Sequence, residues 1–183
     1  MNKLVGGWIV ATVALSIVAS VDGGHLASSL ALAPPKIWHG ELWRLVTWPF
    51  VERSISSALI KAYVIYQFAG ALVAAWPARK LASFVATVAV LSALATCVIA
   101  LVVPSVGELE RLGGWTVTAL LLIATSRQSP DRELVWFGGP FRLKGKHGVL
   151  LALALTLLLV VLVGPVHVLP ELCACGFAIV VPI

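Results

Sequence analysis

Lys61 and Glu171 each stand in a stretch of otherwise apolar residues, which makes them the first candidates for chemistry in this chain. An ionisable group inside a membrane-like segment is costly, so it is a functional candidate unless its charge reaches the boundary. For Lys61 the bland reading is a long stem snorkelling to the interface. For Glu171 it is a carboxylate resting at the mouth of its segment. Imidazole is the side chain best suited to moving protons near neutrality, but His25, His39, His147 and His167 all fall in polar connections, which favours solvated rings. Cys97, Cys173 and Cys175 lie in apolar runs. An odd, buried set without companion ligands is neither a disulfide framework nor a zinc site, so they read as small packing residues and no metal or cofactor is expected. Trp115, near the end of a short apolar stretch, reads as an interfacial anchor or packing residue.

The elements that must position these groups follow from hydropathy. The chain is 60% hydrophobic and 11% charged with a mean hydropathy of +1.02, far more apolar than a soluble domain that is about a quarter charged. Its charges cluster between long apolar runs, so the pattern predicts an all-α, polytopic membrane protein with six transmembrane helices in a single domain, 1–183. The spans are Leu4 to Val21, Ser54 to Trp76, Leu81 to Val103, Leu112 to Ser126, Gly148 to Val166 and Glu171 to Ile183. A cleaved signal peptide is the lesser reading of the first, whose 18 uncharged residues are long enough to cross. The brief fourth span predicts a central helix shielded by its neighbours. Trp38, Trp43 and Trp48 in the first connection point to a segment lying in the headgroup layer. Arg127 to His147, with Pro130, Gly138, Gly139 and Pro140, reads as a polar connection.

The net charge of +5 does not imply nucleic acid, because the basic residues sit in short connections where they set orientation. Lys3, Arg79, Lys80, Arg127, Arg132, Arg142, Lys144 and Lys146 make eight on the N-terminal side, against five opposite: Lys36, Arg44, Arg53, Lys61 and Arg111. The positive-inside rule therefore predicts a multi-pass protein of the cell membrane with both termini cytoplasmic.

The segment Gly40-Glu41-Leu42-Trp43-Arg44-Leu45-Val46-Thr47 resembles the Trp-Arg-x-x-Thr signature that precedes the second helix in the rhomboid superfamily, derlins included. Gly113-Gly114-Trp115-Thr116 at the start of a short fourth helix, Ser129-Pro130 after it, and a small-residue sixth helix extend the likeness over about Leu4 to Ile183. The resemblance implies a six-helix rhomboid-like core. It also implies that Thr116 stands where active members carry the nucleophilic serine, Val117 where they carry a glycine, and Glu171 where they carry the sixth-helix histidine. Counting from Trp43, the oxyanion-assisting His and Asn of the second helix fall on Ser57 and Lys61. Counting back from Gly70, they fall on Ala58 and Ala62.

Either way the catalytic set is gone. A hydroxyl is a weak nucleophile until a neighbouring base takes its proton, and a carboxylate is a poor substitute for imidazole. Thr116 is expected to bond its own helix backbone instead, and His167, four residues from Glu171, is the one histidine placed to rescue a reaction. The leading expectation is thus a catalytically inactive rhomboid-like protein, a pseudoprotease more than an enzyme, that binds transmembrane helices of client proteins from the surrounding lipid. The alternatives are a degenerate or active intramembrane protease, and a small structural or transport subunit. Lys61 and Glu171 are expected to pair, pinning the sixth helix against the second.

Overall fold

The apolar runs become helices whose buried faces mix small residues, as in α1, with large aliphatic ones, as at Leu120 to Ile123. The computed structural model describes residues 3–131, 133–136 and 141–182. Arg132, Gly138, Gly139, Pro140 and Ile183, all named above, lie outside the described residues. Helix α1 (Lys3–Val21) buries Val5, Thr12, Ser16 and Ala19, a stripe at helical spacing. Its other faces stay apolar and exposed, as at Val10, Ile17 and Val18. In lipid, that exposure carries no penalty, and small residues on the inner stripe let helices approach closely.

The first connection is built rather than loose. It holds α2 (His25–Leu30), α3 (Pro34–Trp38), α4 (Arg44–Thr47) and a 3₁₀ turn at Trp48–Phe50. Trp38 and Trp43 are exposed, as an interfacial segment requires, but Trp48 is completely buried. The turn at Pro49 tucks its ring against the backbone ahead of the fourth long helix, where a side chain on Gly113 would come within 2.9 Å of the indole.

The second span is α5 (Ile55–Val64), a π turn at Ile65–Ala69 and α6 (Gly70–Leu72). Ser54 caps α5 by accepting from the Ser57 amide at 3.1 Å, satisfying an orphan donor of the first turn. The helix ends at Leu72, short of the expected Trp76, whose indole turns to donate to Gln128 at 2.7 Å while Lys80 lies over its ring. Helix α7 (Ala78–Val102) follows, then the short α8 (Pro104–Gly107) and α9 (Gly114–Gln128). The expected polar connection carries an antiparallel hairpin, β1 (Glu133–Trp136) and β2 (Phe141–Lys144), so the fold is helical but not strictly all-α. Helices α10 (Gly148–Val163) and α11 (Leu169–Val180) complete the chain.

Helix α9 is the hub. Every residue from Thr116 to Ser126 is buried, and α5, α10 and α11 pack on it, with α7 closing over α11. The shielded centre expected from its shortness is therefore what forms. Among the described residues, four stretches are long and apolar enough to cross a membrane: Lys3–Val21, Ile55–Leu72, Ala78–Val102 and Gly145–Val163. At a rise of 1.5 Å per residue, α9 and α11 reach only about 22 and 18 Å against a hydrocarbon core of about 30 Å.

Candidate functional site

The residues just before α5 and α9 converge on one another. The Glu52 amide donates to Ser16 Oγ of α1 at 3.1 Å, and the Gly113 amide donates to the Trp48 carbonyl at 2.9 Å. These bonds bring the Glu52 carboxylate to the first turn of α9, where a Cβ on Gly114 would stand 2.9 Å from Glu52 Oε2. A side chain there would have to displace the Glu52 carboxylate. The unpaired amides of a helix N-terminus favour an anion, and here the chain supplies its own.

Lys61 completes the arrangement from α5. It is 2% exposed, forms an ion pair with Glu52 and donates to the Pro49 carbonyl at 2.8 Å. The expected pairing with Glu171 is thus overturned, as is the snorkelling alternative. A helical lysine leans back toward the N-terminus of its own helix, and that is where Glu52 lies.

Two adjacent cavities flank this pair. A polar one of about 520 Å³ is lined by Glu52, Arg53, Ser57, Glu108, Arg111, His167 and Glu171, among others. An apolar one of about 350 Å³ lies between Ile60, Tyr63 and Val64 of α5 and Leu159 of α10, above Thr118. Glu52, Ser57, Gly114 and Trp115 line both, so the apolar groove and the polar chamber share a wall. Trp115 donates to Thr156 Oγ1 of α10 at 2.9 Å, the packing role expected of it.

Sequence reasoning placed Ser57, Lys61 and Glu171 near one another, and the fold does gather them around these cavities. Thr116 is different. It is fully buried, lines neither cavity, and its hydroxyl has no hydrogen-bond partner, so the expected bond to its own backbone does not form. The reason is its place in the first turn of α9, ahead of which there is no helical carbonyl to accept. Thr125 and Ser126, farther along, bond the carbonyls four residues back at 2.8 and 2.7 Å. His25, His39, His147 and His167 are all exposed. Among the described residues, no group of three His, Cys, Asp or Glu side chains is placed to hold a metal ion.

The Trp-Arg-x-x-Thr segment ties the first connection together rather than lining either cavity. Arg44 is buried, its Nε donating to Glu41 at 2.6 Å and its Nη1 to the carbonyls of Ser28 and Ala31 at 2.6 and 2.7 Å. Thr47 donates to the Leu30 carbonyl at 3.0 Å and Trp43 to that of Ser29 at 3.3 Å. All three signature side chains thus tie off the end of α2.

Sequence reading passed over Glu110 and Arg111, whose only signal was a charged cluster in a short connection. Arg111 donates to the carbonyls of Val106, Leu109 and Val166, joining the connections before α9 and α11. Glu110 accepts from Lys36 at 2.7 Å and Ser28 at 2.6 Å. Burial pushes its carboxyl up, but those hydrogen bonds and the charges of Lys36 and Arg44 outweigh burial and hold it below the ordinary value of 4.5. A carboxylate depressed in the folded state contributes stability above its unfolded value and loses it as pH falls through the folded one. Glu110→Gln will therefore flatten the fall of melting temperature on acidification below about pH 4.5, followed by tryptophan fluorescence in detergent. A slope equal to wild type would show that Lys36 and Ser28 confer no such preference.

No curated protein and no solved structure matches the chain. A family model does, over residues 3–180, nearly the whole length. With its apolar helices wrapped around a buried central one, the chain belongs to the eukaryotic integral membrane protein family DUF1751.

Proposed function

We propose that this protein is a catalytically inactive, rhomboid-like membrane protein that binds transmembrane helices of client proteins in the groove between α5 and α10. The observation that carries the reading is the groove itself. Its apolar mouth, at Ile60, Val64 and Leu159, suits a helix arriving from lipid, and it runs into a polar chamber at Ser57 and Trp115. Closed membrane helices without function have no reason to keep a polar chamber beside an apolar cleft.

Three features support inactivity. Thr116, at the nucleophile position implied by the resemblance, is sealed from the cavities. Glu171 replaces the base, and the Glu52 carboxylate covers the first turn of α9, where an oxyanion would need donors. All six long helices cross in this reading, α9 shielded by its neighbours and α11 packed on α7 and α9 along one face. Both termini face the cytoplasm of whichever eukaryotic membrane holds the chain.

Photo-crosslinkers at Ile60, Leu159 and, as a lipid-facing control, Val98 test the reading with a fluorescent single-span peptide in phosphatidylcholine nanodiscs. Adducts at Ile60 and Leu159 at least fivefold above Val98 are expected, with no peptide cleavage. Equal labelling at all three would remove the groove. Cleavage abolished by Thr116→Ala or His167→Ala would restore the protease reading.

A further inference from the structure

The polar chamber holds a buried carboxylate that forms no ion pair among the described residues. Glu171 lines it from the first turn of α11 and is 7% exposed, and its Oε2 is buried without a hydrogen-bond partner. Arg53 and Glu108 line the same chamber from its solvent-exposed side, and its buried charges are committed. Glu52 is held by Lys61. Arg111 faces Glu171 electrostatically, but it donates to the backbone carbonyls of Val106, Leu109 and Val166 and makes no ion pair among the described residues. A buried carboxylate oxygen left unbonded is expensive and is relieved by any donor that arrives with its own charge.

We infer that this chamber receives a lysine or arginine side chain carried near the outer end of the client's transmembrane segment, with Glu171 as its counter-charge. The inference rests on the groove being a client site. A helix lying against Ile60 and Leu159 passes the mouth of the chamber, because the two cavities share Ser57, Gly114 and Trp115. A basic residue exposed to lipid is costly, and it gains most by leaving the hydrocarbon for a carboxylate. Glu171 lies at the start of its helix, so the matching residue belongs in the client's first turns below the interface rather than at mid-span. Clients with an uncharged outer end have nothing to offer Glu171 and are held by the apolar mouth alone.

Three fluorescent leucine-alanine peptides separate these possibilities in phosphatidylcholine nanodiscs: one with lysine a single turn below its outer end, one with leucine there, and one with lysine at its inner end. The outer-lysine peptide is expected to bind wild-type protein at least tenfold more tightly than the other two. Glu171→Gln should erase that preference while leaving affinity for the leucine peptide within twofold, with melting temperature verifying its fold. Equal binding of all three to wild type overturns this inference and leaves the groove standing, a comparison that needs no variant to fold. Binding of none overturns the groove as well.

Discussion

Lys61→Met will destabilise the protein by about 3–5 kcal/mol, the cost of leaving a buried charge without its partner. The charge left behind is Glu52, 6% exposed and packed against the start of α9. Glu52→Gln should cost a similar amount, since it strands the Lys61 ammonium with only the Pro49 carbonyl. The double variant should recover most of either loss, because a buried pair exchanged for uncharged side chains of similar volume is often neutral. Denaturant unfolding in detergent micelles, followed by tryptophan fluorescence, gives the cycle. Additive losses would mean that the pair is not coupled in the protein. Coupling of Lys61 to Glu171 instead, above about 0.5 kcal/mol, would mean that the site is assembled differently from the arrangement described.

The second large effect is expected at Arg44. Its guanidinium bonds Glu41 and two carbonyls at the end of α2, one of them buried. Arg44→Ala leaves those acceptors without donors, on the order of 3 kcal/mol for hydrogen bonds of a charged group. Arg44→Lys should recover less than half, since a single ammonium cannot reproduce the guanidinium fork. Because the loss falls on the segment between α1 and α5, protease added to protein in detergent should cut residues 22–53 faster while α9 stays protected. Wild-type cleavage kinetics in Arg44→Ala would show that the signature is not what holds this segment.

The helices were legible because lipid imposes a length and an apolar surface that few other contexts demand. The centrality of α9 was legible too: a stretch too short to span alone must be surrounded. The partner of Lys61 was not. Glu52 reads in sequence as one more acid in a polar connection, and nothing marks it as buried until Ser16 of α1 takes its amide and Gly114 makes room for its carboxylate. Trp48 misled for a similar reason, since its spacing from Trp38 and Trp43 matches an interfacial series while Pro49 turns it inward. The hairpin was hidden by strands of four residues each, too short for alternation to register.

The π turn at Ile65–Ala69 has a bearing on kinship as well as on shape. A π turn takes up one residue more than an α turn needs for its place in the helix, without altering what lies on either side. Distances counted along the chain across it are therefore one residue longer than in a helix that lacks it. Counting forward from Trp43 reaches Ser57 and Lys61 before the turn, whereas counting back from Gly70 crosses it and lands one residue late, on Ala58 and Ala62. The two anchors disagree by the length of a single-residue insertion. Ser57 and Lys61 line the groove. An ungapped alignment of this helix to any relative without the turn must break between Ala62 and Gly70, and likeness scored straight through it will be underestimated on one side or the other.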